Sequence, residues 1–118
     1  MDIDSFRNYC LVKKGVTEEL PFGPDVLVFK VMGKMFALAA LESVPLKVSL
    51  KCDPEKALAL RDEYPDQIEG AYHMNKQHWN SLQVGHLPPQ LVRELTDHSY
   101  SLIFSGLTKK LQQELQNL

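Results

Sequence analysis

The sequence lacks paired cysteines, long apolar runs and a leader-like N-terminus. Its two cysteines, Cys10 and Cys52, form no Cys-x-x-Cys pair and lie beside apolar residues, which predicts reduced thiols. The longest apolar run, residues 35–41, is far too short to span a membrane. Residues 1–4 are acidic and include no apolar stretch, so no signal peptide is predicted. These absences predict a cytoplasmic protein that does not insert into the membrane.

The sequence also lacks an excess of positive charge and a catalytic constellation. Thirteen Lys and Arg stand against fifteen Asp and Glu, for a net charge of −2, so nucleic-acid binding would need a local basic patch. There is no glycine-rich phosphate loop. Asp97, His98 and Ser99 are adjacent on a predicted helix, so their side chains diverge and cannot form a relay. We therefore predict that the protein is not an enzyme.

A metal site is not predicted either. His73 and His78 are five residues apart, near the two ends of a predicted loop, and could approach each other. A zinc site would need further ligands, and no Cys or third His stands at a suitable spacing. We interpret both histidines as hydrogen-bonding residues at strand ends and predict no cofactor.

The residues that are present indicate one α+β domain covering residues 1–118. The clearest strand is 46–51, where Leu46, Val48 and Leu50 alternate with Lys47, Ser49 and Lys51. The chain is predicted to begin with a helix that is capped by Asp4 or Ser5, runs to about Lys13 and is ended by Gly15, followed by a bend or edge strand at 19–24. Strands 26–31 and 35–41, joined by a turn at Gly33–Lys34, precede strand 46–51, and a helix then runs from the Asp53–Pro54 cap to about Tyr64. Strands 68–73 and 79–84, a helix over 88–104 and a last helix capped by Thr108 complete the predicted order.

Short turns between consecutive strands require antiparallel pairing. The helices should then cover one face of the sheet and leave the other face open to solvent or to a partner. Strand 35–41 is apolar on both faces, so we expect it to be central.

The open face is the candidate binding surface. Lys47 and Lys51 project from it together, and between residues 26 and 51 four lysines stand against one acid, Glu42. Lysines with a nearby aromatic ring suit a phosphate backbone. A DNA-binding surface is therefore one interpretation, and a solvated face that uses lysine for solubility and edge protection is the interpretation that the residues alone favour. The candidate nucleic-acid-binding residues are Lys34, Lys47, Lys51, Lys76, His78 and Trp79.

Trp79 itself has two further interpretations. A single tryptophan is more often a core or lid residue than a base-stacking residue. A second functional hypothesis is a protein- or small-ligand-binding module, in which Tyr72, Asn75, His78 and Trp79 line a pocket or an interface.

Several short motifs together resemble the MmcQ/YjbR family over about residues 5–112. They are Pro21-Phe22-Gly23, Val31-x-Gly33-Lys34-x-Phe36-Ala37, Val48-Ser49-Leu50-Lys51-x-x-Pro54, His73-x-Asn75-Lys76-x-His78-Trp79 and Ser99-Tyr100. The turn Gly85-His86 departs from the more polar turn of many relatives. The resemblance implies a CyaY/frataxin-like fold, with a curved antiparallel sheet packed on helices.

The resemblance also implies a function. The family's sheet is similar to a double-wing DNA-binding domain, which implies DNA as the partner of a protein that we expect to be a monomer. No catalytic residues are implied. The likeness to frataxins raises iron binding as an alternative, but the acidic first helix of frataxins is replaced here by a helix that includes Arg7, Lys13 and Lys14.

Overall fold

A computed structural model describes residues 1–71 and 73–118. Its four helices and six strands follow the order predicted from the sequence, with one short 3-10 turn at Val84–His86. They are α1 (Ile3–Leu11), β1 (Val16–Glu19), β2 (Val26–Val31), β3 (Lys34–Ala40), β4 (Lys47–Lys51), α2 (Pro54–Glu63), β5 (Ile68–Gly70), β6 (Trp79–Gln83), α3 (Pro89–Gly106) and α4 (Lys109–Gln116).

The strands form one antiparallel sheet in the order β1-β2-β3-β4-β6-β5. The first four strands are a meander, as predicted, and β3 is central. The edge strand was predicted at 19–24, which was wrong: β1 is Val16–Glu19, and the residues that follow it form a turn. The chain then leaves the sheet through α2 and returns at the outer position as β5. β6 enters between β5 and β4, so the last two strands are reversed relative to their order in the sequence.

The turn of the β2–β3 hairpin lies one residue earlier in the chain than the sequence indicated. Its two turn residues are Met32 (φ 49°) and Gly33 (φ 81°), because a two-residue turn that matches strand twist needs positive φ at both positions. The predicted Gly33–Lys34 turn was wrong by one residue, and Lys34 begins β3. The register then shifts between Phe29 and Lys30, so Phe36 is an extra residue in β3.

All four helices pack on one face and share one core. Phe6 and Cys10 from α1, Leu60 from α2, Val92 from α3 and Leu115 from α4 belong to the same buried cluster. The α+β class with helices on one face is therefore confirmed.

The helix caps follow local chemistry. Asp53 caps α2 by accepting the Lys56 amide at 3.2 Å, and Thr108 caps α4 by accepting the Leu111 amide at 3.2 Å, as predicted. For α1 the prediction was wrong: Asp2, not Asp4 or Ser5, is the cap, accepting the Ser5 amide at 2.8 Å. This helix also ends at Leu11, before Lys13 and Gly15.

Ser99 attaches α3 to the two central strands. Its side chain is fully buried, its hydroxyl donates to the Phe36 carbonyl at 2.5 Å, and it accepts the Lys51 amide at 3.0 Å. The Phe36 carbonyl belongs to the bulge, where a regular ladder cannot satisfy every backbone group. The hydroxyl therefore completes hydrogen bonding at the irregular point of the sheet.

We expect Ser99→Ala to lower the free energy of unfolding by about 1–3 kcal/mol, because a buried carbonyl and a half-buried amide lose their partner. Urea denaturation of the purified protein measures this change. The control is Ser105→Ala, an exposed serine of the same helix, whose effect should stay within about 0.5 kcal/mol. Equal stabilities for the two variants would contradict the assigned role of Ser99.

Candidate functional site

The open face is organised in rows that cross the whole sheet. Residues directly opposite each other on antiparallel strands project from the same face. One row runs through all six strands as Glu19, Val28, Leu38, Ser49, Ser81 and Glu69. The β2–β3 half of this face is thus apolar, the β4–β6 half is polar, and a carboxylate stands at each edge.

The edge carboxylates neutralise two of the open-face lysines. Glu19 is 2.7 Å from the Lys30 ammonium, and Glu69 is 3.4 Å from the Lys47 ammonium. The lysine excess read from residues 26–51 is therefore reduced by acids from β1 and β5, which lie outside that window. Only the fold brings these charges together.

The candidate lysines do not all share the open face. Lys47 and Lys51 do, because Val48 and Leu50 between them are buried in the helix-covered core. Lys34 is opposite Val31, a core residue, and so projects toward the helix-covered side. The bulge at Phe36 is the cause, because it reverses the alternation of β3 for the two residues that precede it.

A cavity of about 670 Å³ lies on the open face. This volume is within the usual range for small-molecule sites, which are mostly apolar with a few polar groups. The apolar half of the face supplies one side of the cavity and the polar half supplies the other. The lining residues are Phe22, Val26, Met35, Leu38, Ala40, Ser43, Lys47, Ser49, Glu69, His73, Met74 and Ser81.

The loop before β6, residues 71 and 73–78, is held by backbone-directed hydrogen bonds. The Asn75 side chain accepts the Gln77 amide at 2.9 Å, and the His78 carbonyl accepts the Cys52 amide at 2.7 Å. The Asn75 carbonyl accepts the His78 amide at 3.0 Å. These contacts agree with the interpretation that Asn75 and His78 shape the loop.

Arg61 is the residue that the sequence analysis missed. Its Nε donates to the side-chain oxygen of buried Asn80 at 2.7 Å, and its guanidinium also donates to the Lys76 carbonyl. Asn80 in turn donates to the Ala57 carbonyl at 3.2 Å. Arg61 therefore joins α2, β6 and the loop, and no sequence spacing signals this because its partners are 15 and 19 residues away.

Trp79 starts β6 opposite Lys51 and is 8% exposed. The core-or-lid interpretation of this residue is therefore confirmed, and its ring offers little free surface for stacking. His78 is half-buried, whereas Lys34 and Lys76 are exposed. Of the predicted pocket residues, Tyr72 lies outside the described residues; Asn75, His78 and Trp79 do not line the cavity, which His73 and Met74 line instead.

Asp97, His98 and Ser99 contact three different parts of the molecule. Asp97 accepts from the Tyr9 hydroxyl at 2.8 Å and pairs with Lys13, whereas His98 Nε2 accepts the Asp53 amide at 3.1 Å. Ser99 contacts Phe36 and Lys51, as described above. The predicted divergence of the three side chains is confirmed.

Both cysteines are buried and free, and burial raises the pKa of the Cys10 thiol to about 12, so this thiol stays protonated. Within residues 1–71 and 73–118, no cluster of three His, Cys, Asp or Glu side chains could hold a metal ion. In the same residues no helix is both long and apolar enough to cross a membrane.

Comparison with known proteins places this fold in a family. The YjbR family model matches residues 11–102. The chain is 42% identical to YbdF of Escherichia coli O157:H7 over 98 residues, which is 81% of this chain and 79% of that protein. It is 31% identical to YjbR of Escherichia coli K12 over 120 residues, which covers both chains completely.

Two solved structures share the fold. The Deinococcus radiodurans protein DR2400, a DUF419 domain, superposes with a TM-score of 0.89 at 38% identity, covering 97% of this chain and 87% of that one. A Pseudomonas syringae protein superposes with a TM-score of 0.71 at 26% identity, covering 86% of this chain and 98% of that one.

We expect Trp79 to emit at a blue-shifted wavelength and to resist acrylamide quenching until the protein unfolds, because its ring is buried. It is the sole tryptophan, so the signal is unambiguous. The control is the double variant Trp79→Phe/Phe22→Trp, which moves the fluorophore to a site that is 63% exposed. Quenching of Trp79 as strong as that of the control would contradict its burial.

We expect His98 to make stability pH-dependent. Partial burial, followed by the Lys56 ammonium, lowers the pKa of His98 below its ordinary value of 6.5. The unfolded chain therefore binds a proton first as the pH falls through 6.5, and the folded state loses stability there. Urea denaturation of wild type and of His98→Gln at pH 7.5 and 5.5 measures this effect. The difference between the midpoints of the two proteins should be smaller at pH 5.5 than at pH 7.5. If both midpoints fall by the same amount between the two pH values, the assignment to His98 is contradicted.

Proposed function

Because the chain belongs to the YjbR family, for which the sequence resemblance implies a DNA-binding role, we propose that it is a non-catalytic DNA-binding module. In this proposal it acts as a monomer in the cytoplasm and contacts phosphates. The observation that supports the proposal most directly is a group of three lysines at one end of the sheet. We name Lys34, Lys51 and Lys76 the end cluster.

The end cluster is a consequence of antiparallel topology. Lys34 is the first residue after the β2–β3 turn, and Lys51 is the last residue of β4. Trp79 at the start of β6 is opposite Lys51, so the loop that includes Lys76 emerges at the same end. A hairpin and a loop therefore project side by side, each with a lysine.

The surroundings of these three lysines favour phosphate binding. In the part of the chain that the structure describes, none of the three forms an ion pair with a carboxylate, in contrast to Lys30 and Lys47. Lys34 and Lys76 are exposed, and Lys51 is half-buried. Phosphates can therefore bind their ammonium groups without first displacing a carboxylate.

The proposal assigns different roles to the other candidate residues. Lys47 contributes less than the end cluster, because a phosphate beside it would also approach the Glu69 carboxylate. Trp79 does not stack on bases, since it is buried at the start of β6. Half-buried His78 lies between Lys76 and Trp79 in the chain and is the remaining candidate for a phosphate contact.

Binding of this type should be weak and insensitive to sequence. Lysine contacts to phosphates orient a protein on DNA but do not read bases. Three such contacts give a slope of about −3 for log affinity against log salt. The net charge of −2 adds no long-range attraction to DNA, so the local cluster must supply the affinity.

The test is the anisotropy of a fluorescent duplex at several salt concentrations. We expect Lys34→Glu/Lys51→Glu to abolish measurable binding, because each reversal removes an attraction and adds a repulsion. The control, Lys109→Glu/Lys110→Glu, makes the same change in net charge at the exposed start of α4 and should bind like wild type. Neutral Lys34→Gln/Lys51→Gln should reduce the salt slope by about 2.

Two outcomes would contradict the proposal. One is the absence of binding by the wild-type protein at low salt. The other is an equal loss of affinity in the Lys109/Lys110 control, which would show that net charge and not the end cluster governs binding.

The open-face cavity favours a second candidate function, the binding of a small molecule. Its volume of about 670 Å³ and its division into an apolar and a polar half are the supporting observations. This function is compatible with DNA binding, because none of the three end-cluster lysines lines the cavity.

A further inference from the structure

The polar half of the open-face cavity contains one charge of each sign. The Lys47 ammonium and the Glu69 carboxylate are 3.4 Å apart, and both line the cavity. Their side chains are 39% and 58% exposed, so the pair is screened by solvent and weak. Because the pair is long and accessible, a ligand can insert its own charges with little loss of protein stability.

The serine hydroxyls next to this pair are also available. Ser49 and Ser81 are directly opposite each other on β4 and β6, and both line the cavity. Neither hydroxyl has a hydrogen-bond partner among the residues that the structure describes. They therefore add two donor-acceptor groups to the polar half.

The other half of the cavity is apolar. Val26 and Leu38 project from β2 and β3, and Met35 lies toward the hairpin end of the same face. Methionine side chains adapt to irregular apolar shapes. A ligand that crosses the strands would thus meet apolar surface at one end and the Lys47–Glu69 pair at the other.

Charge complementarity selects the head group of the ligand. A fatty acid or another monoanion would place a second negative charge beside Glu69, and a simple amine would place a second positive charge beside Lys47. A zwitterion satisfies both. Since the protein charges are only 3.4 Å apart, the two ligand charges must also be close, as they are when the ammonium and carboxylate share one carbon atom.

We propose that the open-face cavity binds a free α-amino acid with a large apolar side chain. The ligand carboxylate faces Lys47, the ligand ammonium faces Glu69, and the side chain lies against Val26, Leu38 and Met35. This inference rests on the second candidate function above, names its ligand class, and is independent of DNA binding by the end cluster.

The experiment is a titration of the ¹⁵N-labelled protein followed by amide chemical shifts, a method suited to weak binding. The probes are L-phenylalanine and L-leucine. The comparison ligands are 3-phenylpropionate, which lacks the ammonium, and phenethylamine, which lacks the carboxylate. We expect saturable shifts with at least one amino acid, and roughly tenfold weaker binding of each phenylalanine analogue, because each loses one charge-assisted contact.

Two neutral variants assign each charge to a residue. Lys47→Gln should reduce the affinity for the amino acid to that of phenethylamine, whereas Glu69→Gln should reduce it to that of 3-phenylpropionate. The matched controls are Lys30→Gln and Glu19→Gln, which break the other ion pair of the same face outside the cavity and should leave affinity unchanged. All four side chains are at least 24% exposed, so the variants should fold.

The possible failures are distinguishable. If an analogue binds the wild-type protein as tightly as phenylalanine, the proposed requirement for both ligand charges is wrong, although the cavity does bind ligands. If no probe gives saturable shifts up to its solubility limit, the proposed ligand class is overturned. If Lys30→Gln weakens binding as much as Lys47→Gln, the site is misplaced. None of these results bears on the DNA titrations.

Discussion

The register between β3, β4 and β6 is the constraint on which the rest of the structure depends. It places Val48, Leu50 and Leu82 in the core and leaves Lys47, Ser49 and Ser81 on the open face. A slip of one residue would exchange these two sets, burying lysine and exposing the apolar residues. Ser99 reinforces the arrangement, because it bonds a backbone group of β3 and one of β4 from the same helix.

Edge strands decide the electrostatic character of the open face. β1 and β5 are the outer strands, and each contributes one glutamate that reaches a lysine on a strand further in. The face is therefore a mixed surface with an apolar half, which suits a small amphipathic ligand. The lysines without such partners lie at one end of the sheet, where a phosphate backbone has access. The cavity lies on the open face, whereas the end cluster lies at the end of the sheet and includes a lysine, Lys34, that projects toward the helix-covered side.

The loop before β6 connects both regions. Arg61 and Asn80 hold it against α2, and Trp79 is buried at its base. Residues 73 and 74 of this loop line the cavity, while Lys76 belongs to the end cluster. The arrangement of polar residues in 73–79 is explained mainly by the shape of the loop. Its histidines have no role in metal binding in either proposal.

The sequence by itself determined the element types, most boundaries, two of the three side-chain helix caps and the alternation of β4, because these depend on residues close together in the chain. It also determined the family. Only the tertiary structure decided that β6 lies between β4 and β5, that Glu69 reaches Lys47, that Arg61 supports the loop and that the Phe36 bulge turns Lys34 away from the open face. These features depend on which distant segments pack together, and the physical reason is that strand pairing and burial are selected by the whole core rather than by local sequence.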